Sequence, residues 1–529
     1  MTRVYVEIAF QALHSCIWGS ICLCSTEESC HYYLMVIMTS RTRVILFTLV
    51  IFLCSTATFS QKTKSIGVPD WVKDVVFYQI FPERFANGDP SNDPPGTEAW
   101  GGTPKPHNYF GGDLQGVIDH LDYLQRLGVT ALYFNPINES SSNHKYHPKS
   151  YSKIDPHFGN DRVFQNLVDE CHRRGIRIII DGVFNHTGVD FFAFEDIKKN
   201  EARSRYLNWY NIHSFPVGPP SKPNYECWWG LGDLPKLMTD SPEVRKHLFD
   251  ATKHMMRFGI DGWRLDVPNE ISHDFWIEWR KLVKAQNPQA YIVGEIWQDA
   301  SPWLQGDQFD AVMNYRFRDA CIALFCNETV LPSKFDSMLT ATRNDYPENV
   351  CFVLQNLVGS HDTERYLTLC KSDVGKVKIT SLMQMTYIGA PMIYYGDEIG
   401  MEGEKDPDCR RTMIWDSTRW NMDLYQWYRQ VLSLRSRLAP LRRGTYKTLL
   451  ADDERSIFAF IRELEGESVV VVLNNRAVSQ EITLSVPEKT PGLWEDQLSG
   501  RTYSASGKQL SNVLLPERSG AVLIPVARN

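Results

Sequence analysis

Three short stretches hold carboxylates where chemistry could be done. They are Gly262-Trp263-Arg264-Leu265-Asp266, Val293-Gly294-Glu295-Ile296-Trp297 and Val358-Gly359-Ser360-His361-Asp362. Each follows or closes an apolar run, from Phe258 to Trp263, Ala290 to Val293 and Cys351 to Val358, so each reads as a strand that ends in an acid. Acids at the carboxyl ends of successive parallel strands converge on one face of a barrel. Two carboxylates flanking a sugar's anomeric carbon are what glycoside hydrolysis requires. A single acid capping a strand would be unremarked; three, each beside an Arg, Trp or His, point to a site.

The elements that must position these acids follow from the apolar runs. From Val75 onward, eight β-rich runs alternate with helical patterns: Val75 to Ile80, Val129 to Phe134, Ile176 to Ile180, Gly259 to Trp263, Tyr291 to Val293, Phe309 to Met313, Cys351 to Leu357 and Pro391 to Tyr395. Amphipathic segments such as Gly116 to Leu127, Arg162 to Arg174 and Ser241 to Phe258 read as helices. The alternation predicts an α/β fold, a (β/α)₈ TIM barrel. Between the third and fourth runs, Thr187 to Leu237 is rich in Pro, Trp and Tyr and reads as an inserted subdomain. After a last helix, about Leu424 to Leu438, alternating runs divided by Gly, Pro and Asn predict an all-β domain. The expected organisation is a leader over 1–60, the barrel over 61–186 and 238–439, the insert over 187–237 and a C-terminal β-sandwich over 440–529.

Length and composition agree with several domains. The chain has 529 residues, too many for one ordinary core, with 43% hydrophobic and 22% charged residues. A formal charge of -7 and no Lys/Arg cluster exclude a nucleic-acid binder. Fifteen Trp and 23 Tyr offer faces for stacking on sugar rings, although core packing accounts for many of them. Arg41 and Arg43 precede the apolar run Val44 to Leu53, and small residues follow to Ser60. This is the order of a secretory signal, about 38–60, and predicts a secreted or extracytoplasmic protein. A membrane anchor competes, but the run is short of the roughly 20 residues a span needs, and contact with a membrane is expected only through an uncleaved leader. Outside the leader, Cys171, Cys227, Cys321, Cys326, Cys351, Cys370 and Cys409 lack metal-ligand spacing and are read as buried free thiols.

These motifs resemble the alpha-amylase family. Asp181-Gly182-Val183-Phe184-Asn185-His186 and the stretches ending in Asp266, Glu295 and Asp362 look like its four signature regions, in family order. Leu234-Pro235-Lys236-Leu237, Gly306-Asp307-Gln308-Phe309-Asp310 and Asp406-Pro407-Asp408-Cys409-Arg410-Arg411 are similar to the neopullulanase, cyclomaltodextrinase and maltogenic-amylase group. That group usually carries an N-terminal β-domain ahead of the barrel, whereas only a leader stands here before Trp71, which leans towards a monomer.

The resemblance implies roles residue by residue. Asp266 corresponds to the nucleophile, Glu295 to the general acid and base, and Asp362 to the acid that grips the sugar hydroxyls. Arg264, two residues before Asp266, is expected to hold it ionised. Burial and neighbouring negative charge should raise Glu295, which must carry a proton to donate. His361 and His186 correspond to histidines that hydrogen-bond the same glucose, and Tyr146 to the platform beneath it. Asp406 and Arg410 resemble further contacts there, and Asp181 a structural acid; Trp297 and Glu270 fall on the acceptor side. Asn87, Asp89, Asn92 and Asp93, followed by Gly111 and Asp113, offer hard oxygens for Ca²⁺. A polar turn with Asn-Gly and Asp-Pro breakers explains the same residues; matching spacing in the neopullulanase group favours a structural calcium. The implied function is an exported, retaining hydrolase of α-1,4-linked glucans, with some α-1,6 tolerance, acting on starch, pullulan, maltodextrins or cyclodextrins. A plain α-amylase, a transglycosylating relative, a non-catalytic membrane-anchored ectodomain and a carbohydrate-binding protein are the alternatives.

Overall fold

The computed structural model describes residues 67–486 and 492–526. The signal-like segment expected over 38–60 lies outside them. Eight parallel strands form the barrel: β1 (Phe77–Ile80), β2 (Ala131–Phe134), β3 (Arg177–Gly182), β4 (Gly262–Leu265), β5 (Tyr291–Gly294), β6 (Ala311–Val312), β7 (Gln355–Asn356) and β8 (Ala390–Tyr394). Hydrogen bonding runs β6-β5-β4-β3-β2-β1-β8-β7, and an isolated parallel bridge from Met313 to Gln355 joins the two ends of the ring. The α/β barrel fold is therefore the one expected. Nearly every barrel-strand residue is buried, as strands covered by helices on one face and packed inward on the other must be.

Two local expectations need correction. The apolar run Cys351 to Leu357 is not one strand: Glu348–Cys351 is a helical turn, and only Gln355–Asn356 pairs with β8. Apolarity without alternation does not separate a buried turn of helix from a strand. The segment Gly116 to Leu127 is two short helices, Leu114–Asp119 and Leu121–Leu127, meeting at His120. Asp113 caps the first by accepting from the Gly116 amide, and Gly128, at φ 101°, ends the second in the left-handed region.

The segment 187–237 carries a helix, Phe192–Asn200, and is pinned by isolated bridges between Tyr210 and Leu237, Ile212 and Tyr225, and Cys227 and Pro235. A further bridge joins His186 at the barrel rim to Lys236. Past the last barrel helix (Met422–Arg437) lies an eight-stranded antiparallel sheet: β9 (Thr445–Asp452), β10 (Ile457–Leu464), β11 (Glu467–Asn474), β12 (Gln480–Ser485), β13 (Leu493–Asp496), β14 (Thr502–Ser506), β15 (Gln509–Leu515) and β16 (Ser519–Val526). Trp494 is fully buried in its core and offers no ring to a ligand. Arg462 of β10 is buried at the junction with the barrel, its guanidinium donating to the carbonyls of Thr386, Leu441 and Gly444.

Cys326 and Cys370 form a disulfide, which corrects their reading as free thiols. They lie 44 residues apart, and the fold brings their Cα atoms to 4.7 Å, a proximity that spacing does not reveal. Cys171, Cys227, Cys321, Cys351 and Cys409 are free.

Beyond β8, Glu398 is fully buried and accepts from the Tyr78 hydroxyl at 2.8 Å and the Tyr123 hydroxyl at 2.5 Å. Burial pushes its carboxyl up to about 7, against the pull of the two tyrosine bonds. An acid raised in the folded state stabilises fully below its unfolded pKa, and the contribution fades as pH climbs to the folded value. Between about pH 4.5 and 7 this group should therefore cost the fold up to about 3 kcal/mol. In Glu398→Gln the fall in melting temperature from pH 5 to pH 8 should be smaller than in the parent. An equal fall in both proteins would show that Glu398 is not the source.

Candidate active site

Register between strands builds the centre. Asp181 on β3 pairs with Arg264 on β4, and Arg264 with Val293 on β5. Asp266 and Glu295 follow the last residues of β4 and β5. The backbone holds them there: the Asp266 amide donates to Gly182 O at 3.1 Å and the Glu295 amide to Leu265 O at 3.0 Å. Val267 turns the chain sharply, at φ 35°, and its amide reaches Glu295 Oε2 at 3.2 Å. A β-branched residue in the left-handed region is strained, and the strain sits beside the acids.

Arg264 is the hub. It is fully buried; Nη1 lies 2.9 Å from Asp181 Oδ2 and 2.9 Å from Asp266 Oδ1, and Nη2 lies 2.8 Å from Glu295 Oε2. The last approach is an ion pair out of line for a hydrogen bond. One guanidinium cannot neutralise three buried carboxylates, so the cluster favours retention of a proton. Burial drives Asp181 up to about 6 and pushes Asp266 and Glu295 above the usual carboxylate range, while Arg264 opposes all three shifts. The bond expected from Arg264 to Asp266 is present, but burial outweighs it in setting the direction for Asp266. For Glu295 the Asp362 charge adds to burial, as anticipated.

The remaining groups close around this hub. Asp362 stands in the loop after β7, partly exposed, with Oδ2 3.2 Å from His361 Nε2 and Oδ1 3.2 Å from Arg410 Nη2. Arg410 also holds Asp406 at 3.0 Å, so it bridges two acids. Gln79 Nε2 donates to Asn135 Oδ1 at 3.1 Å and lies 2.9 Å from His361 Nδ1. A donor on Nδ1 leaves Nε2 as the protonated nitrogen, which faces Asp362. Asn135 Nδ2 then donates to the Tyr146 hydroxyl, which donates to Asp181 Oδ2 at 2.7 Å. Tyr146 and His361 stack at 5.4 Å with rings 5° apart. Burial holds both His361 and His186 neutral, the latter near 3. His186 Nε2 lies 3.1 Å from the Tyr146 carbonyl, which only accepts, so the proton is on Nε2.

On the other side, Trp297 donates from Nε1 to Glu295 Oε1 at 3.1 Å and stacks on Tyr315 at 3.7 Å, with 44% of its surface exposed. Glu270 pairs with Lys236 of the insert at 3.1 Å. Sequence reasoning passed over Gln79, Asn135 and Tyr133, which tie Asp181 and Tyr146 in place, and over Trp228 and Trp229. These two indoles stack at 4.8 Å, Trp228 lies 5.7 Å from His186, and Trp229 is 80% exposed with φ 51°. Adjacent tryptophans in a Pro-rich insert were the available signal.

Asn87, Asp89, Asn92, Asp93, Gly111 and Asp113 come together beside the first barrel loop. Asn87 Oδ1 and Asn92 Oδ1 are buried without a hydrogen-bond partner, and Asn87 Nδ2 donates to Asp93 Oδ1 at 2.9 Å. Gly111, at φ 83°, leaves no room for a Cβ, which would stand 2.2 Å from Asp93 Oδ1. Orphaned buried oxygens beside a carboxylate fit a hard cation. Asp113 is otherwise engaged: its oxygens accept from the amides of Gly88, Asp89 and Gly116. Among the described residues no group of three or more His, Cys, Asp or Glu is placed to hold a metal, so a cation here would depend on the amide oxygens.

Acids gathered at the carboxyl rim of a parallel barrel define a barrel glycosidase. Residues 79–437 match the family described as alpha amylase, catalytic domain, and residues 446–521 match maltogenic amylase, C-terminal domain. The chain belongs to the alpha-amylase family, glycoside hydrolases that act on O-glycosidic bonds. It is 51% identical over 461 residues to neopullulanase 2 of Thermoactinomyces vulgaris, covering 87% of this chain and 79% of that one. A solved cyclomaltodextrinase superposes with a TM-score of 0.83 at 44% identity, covering 87% of this chain and 80% of that one. The ligand-free cyclic alpha-maltosyl-(1→6)-maltose hydrolase of Arthrobacter globiformis does so at 0.80 and 40%, covering 87% and 100%.

The expectation of export is corrected here. The intracellular maltogenic amylase of Bacillus subtilis is 42% identical over 429 residues, 80% of this chain and 72% of its own length. Relatives of this kind conflict with the secreted reading, which rested on a leader outside the described residues. Among the described residues no helix is long and apolar enough to cross a membrane.

Proposed function

We infer that this chain hydrolyses α-1,4-glucosidic bonds with net retention of anomeric configuration. The observation that carries the reading is Arg264, with Asp181, Asp266 and Glu295 at 2.8–2.9 Å on one guanidinium. In the first step Glu295 donates its proton to the glycosidic oxygen while Asp266 bonds to the anomeric carbon and the aglycone leaves. In the second, Glu295 takes a proton from water, whose oxygen displaces Asp266. Asp362, with His361 and Arg410, grips the hydroxyls of the glucose stacked on Tyr146; His186 and Asp406 complete that subsite. Trp297, Glu270 and the Trp228–Trp229 pair face the departing sugars, where an extended or cyclic glucan would lie.

The range of substrates is drawn from the relatives' names, which include a neopullulanase and cyclomaltodextrinases. The test is a product profile of the full chain on soluble starch, pullulan and β-cyclodextrin, following sugars and anomeric form. Maltose from starch and panose from pullulan, first released as α-anomers, support the reading. Release of β-anomers, or no turnover of any of the three by folded protein, overturns it.

A structural calcium is part of the proposal, held by Asn87 Oδ1, Asn92 Oδ1 and Asp93. It would fix the loop before the helix Leu114–Asp119 and supply no chemistry to the reaction. Dialysis against a chelator should lower the melting temperature by several degrees, and added Ca²⁺ should restore it. An unchanged melting curve would remove calcium from the proposal.

A further inference from the structure

Gln79 on β1 is fully buried, and its backbone registers with Tyr133 on β2 and Tyr394 on β8. A barrel strand flanked on both edges ordinarily buries an apolar residue at such a position. The amide is costly there, because Gln79 Oε1 makes no hydrogen bond to the chain. Its nitrogen is fully engaged instead: Nε2 lies 3.1 Å from Asn135 Oδ1 and 2.9 Å from His361 Nδ1. An apolar residue would avoid the cost and lose both contacts.

The direction of each bond follows from Asp181. Its Oδ2 accepts from two phenols, Tyr133 at 2.9 Å and Tyr146 at 2.7 Å. Tyr146 has spent its one hydrogen there, so its oxygen must accept from Asn135 Nδ2 at 2.9 Å. Asn135 then presents Oδ1 to Gln79, which fixes Nε2 as the end that faces both Asn135 and His361. An amide nitrogen only donates, so His361 Nδ1 is bare and Nε2 holds the proton. Four hydrogen bonds thus carry a choice of tautomer from Asp181 to His361. The ring's remaining neighbours are Tyr146 and Phe81, with Asp362, Arg410, Arg264 and His144 as the charged or titratable groups around it.

We propose that Gln79 is a positioning residue, which keeps the proton of His361 on Nε2 so that the ring donates to a glucose hydroxyl held by Asp362. A hydroxyl placed there gives its hydrogen to the carboxylate and accepts one from Nε2. With the proton on Nδ1 instead, Nε2 and Asp362 would both offer lone pairs to a group with a single hydrogen. A second proton on the ring would set a cation against Asp362 and draw the carboxylate away from the sugar. The proposal rests on the α-glucan reading above and adds the group that decides how His361 meets the substrate. Contacts to the hydroxyls of the distorted sugar strengthen in the transition state, so the effect falls on kcat more than on KM.

Nitrogen-15 spectra of the full chain labelled in histidine read the tautomer directly, the His361 signal being identified by its loss in His361→Gln. In the parent at neutral pH, Nδ1 should be bare and Nε2 protonated. Gln79→Glu is the nearest match in shape but replaces the donor by an acceptor, and should bring a proton onto Nδ1. It should also lower kcat on maltotriose by about 10–100-fold, the scale on which function falls when the partner that fixes a histidine is lost, with a smaller change in KM. Gln79→Met offers Nδ1 neither an acceptor nor a charge and should cost less than Gln79→Glu. A role in packing alone would leave the His361 spectrum unchanged in Gln79→Glu and rank the two variants the other way; either result overturns the proposal. A proton on Nδ1 in the parent overturns it as well, and that measurement needs no variant to fold. The spectra need no substrate, so inactivity of the parent on glucans would strike the α-glucan reading alone.

Discussion

Asp266→Asn should lower kcat/KM for maltotriose by ~10⁴-fold or more, the scale on which covalent catalysts lose rate when the nucleophile is removed. The substitution preserves shape and keeps an oxygen for the Arg264 Nη1 bond of 2.9 Å, so the loss would not stem from collapse of the pocket. It also removes one of three buried carboxylates that share a single cation. The variant should therefore melt no earlier than the parent near neutral pH, since burial had raised Asp266 and ionising it there worked against the fold. Rapid-quench labelling with an activated 2-fluoro glucosyl donor should find no covalent adduct. An Asp266→Asn protein with more than about a hundredth of the parent's rate would exclude Asp266 as nucleophile, because general acid catalysis alone does not reach that level.

Glu295→Gln should reduce kcat on maltotriose by roughly 10²–10⁴-fold, the contribution of a positioned acid and base. The loss should depend on the leaving group. An aryl maltoside whose phenolate needs no proton would still form the glycosyl-enzyme, and azide, which needs no base, would then restore turnover. In the parent, activity requires protonated Glu295, so the alkaline limb of kcat falls as pH rises through its raised pKa. That rise comes from burial first and the Asp362 charge second, with Arg264 opposing. In Glu295→Gln with an aryl substrate this limb should vanish. Absence of azide rescue, or an unchanged alkaline limb, would assign the proton to another group.

Much of this molecule follows from short-range pattern. Eight short apolar runs separated by amphipathic segments are enough to anticipate a parallel barrel, and the three that lead into an acid are enough to name Asp266, Glu295 and Asp362. Periodicity and strand ends are local properties, carried by neighbours in the chain. The same locality explains the failures. Cys351 to Leu357 reads as one apolar run, yet Cys351 closes a helical turn begun at Glu348 and the strand is the polar pair Gln355–Asn356, because both are buried and hydrophobicity alone does not mark where a short buried strand begins.

What only the folded chain decided is who meets whom. Arg264 reads in sequence as the partner of Asp266, two positions away; its bonds to Asp181 span 83 residues and depend on the β3–β4 register. Tyr146 reads as a bare platform, yet its hydroxyl is held by Asn135 and spent on Asp181. The Cys326–Cys370 bridge and the Trp228–Trp229 stack against His186 arise in the same way. Each joins segments whose separation in sequence says nothing about their distance in space. Residue types and their local order determine which chemistry is possible, whereas strand register and packing determine which carboxylates meet on one guanidinium.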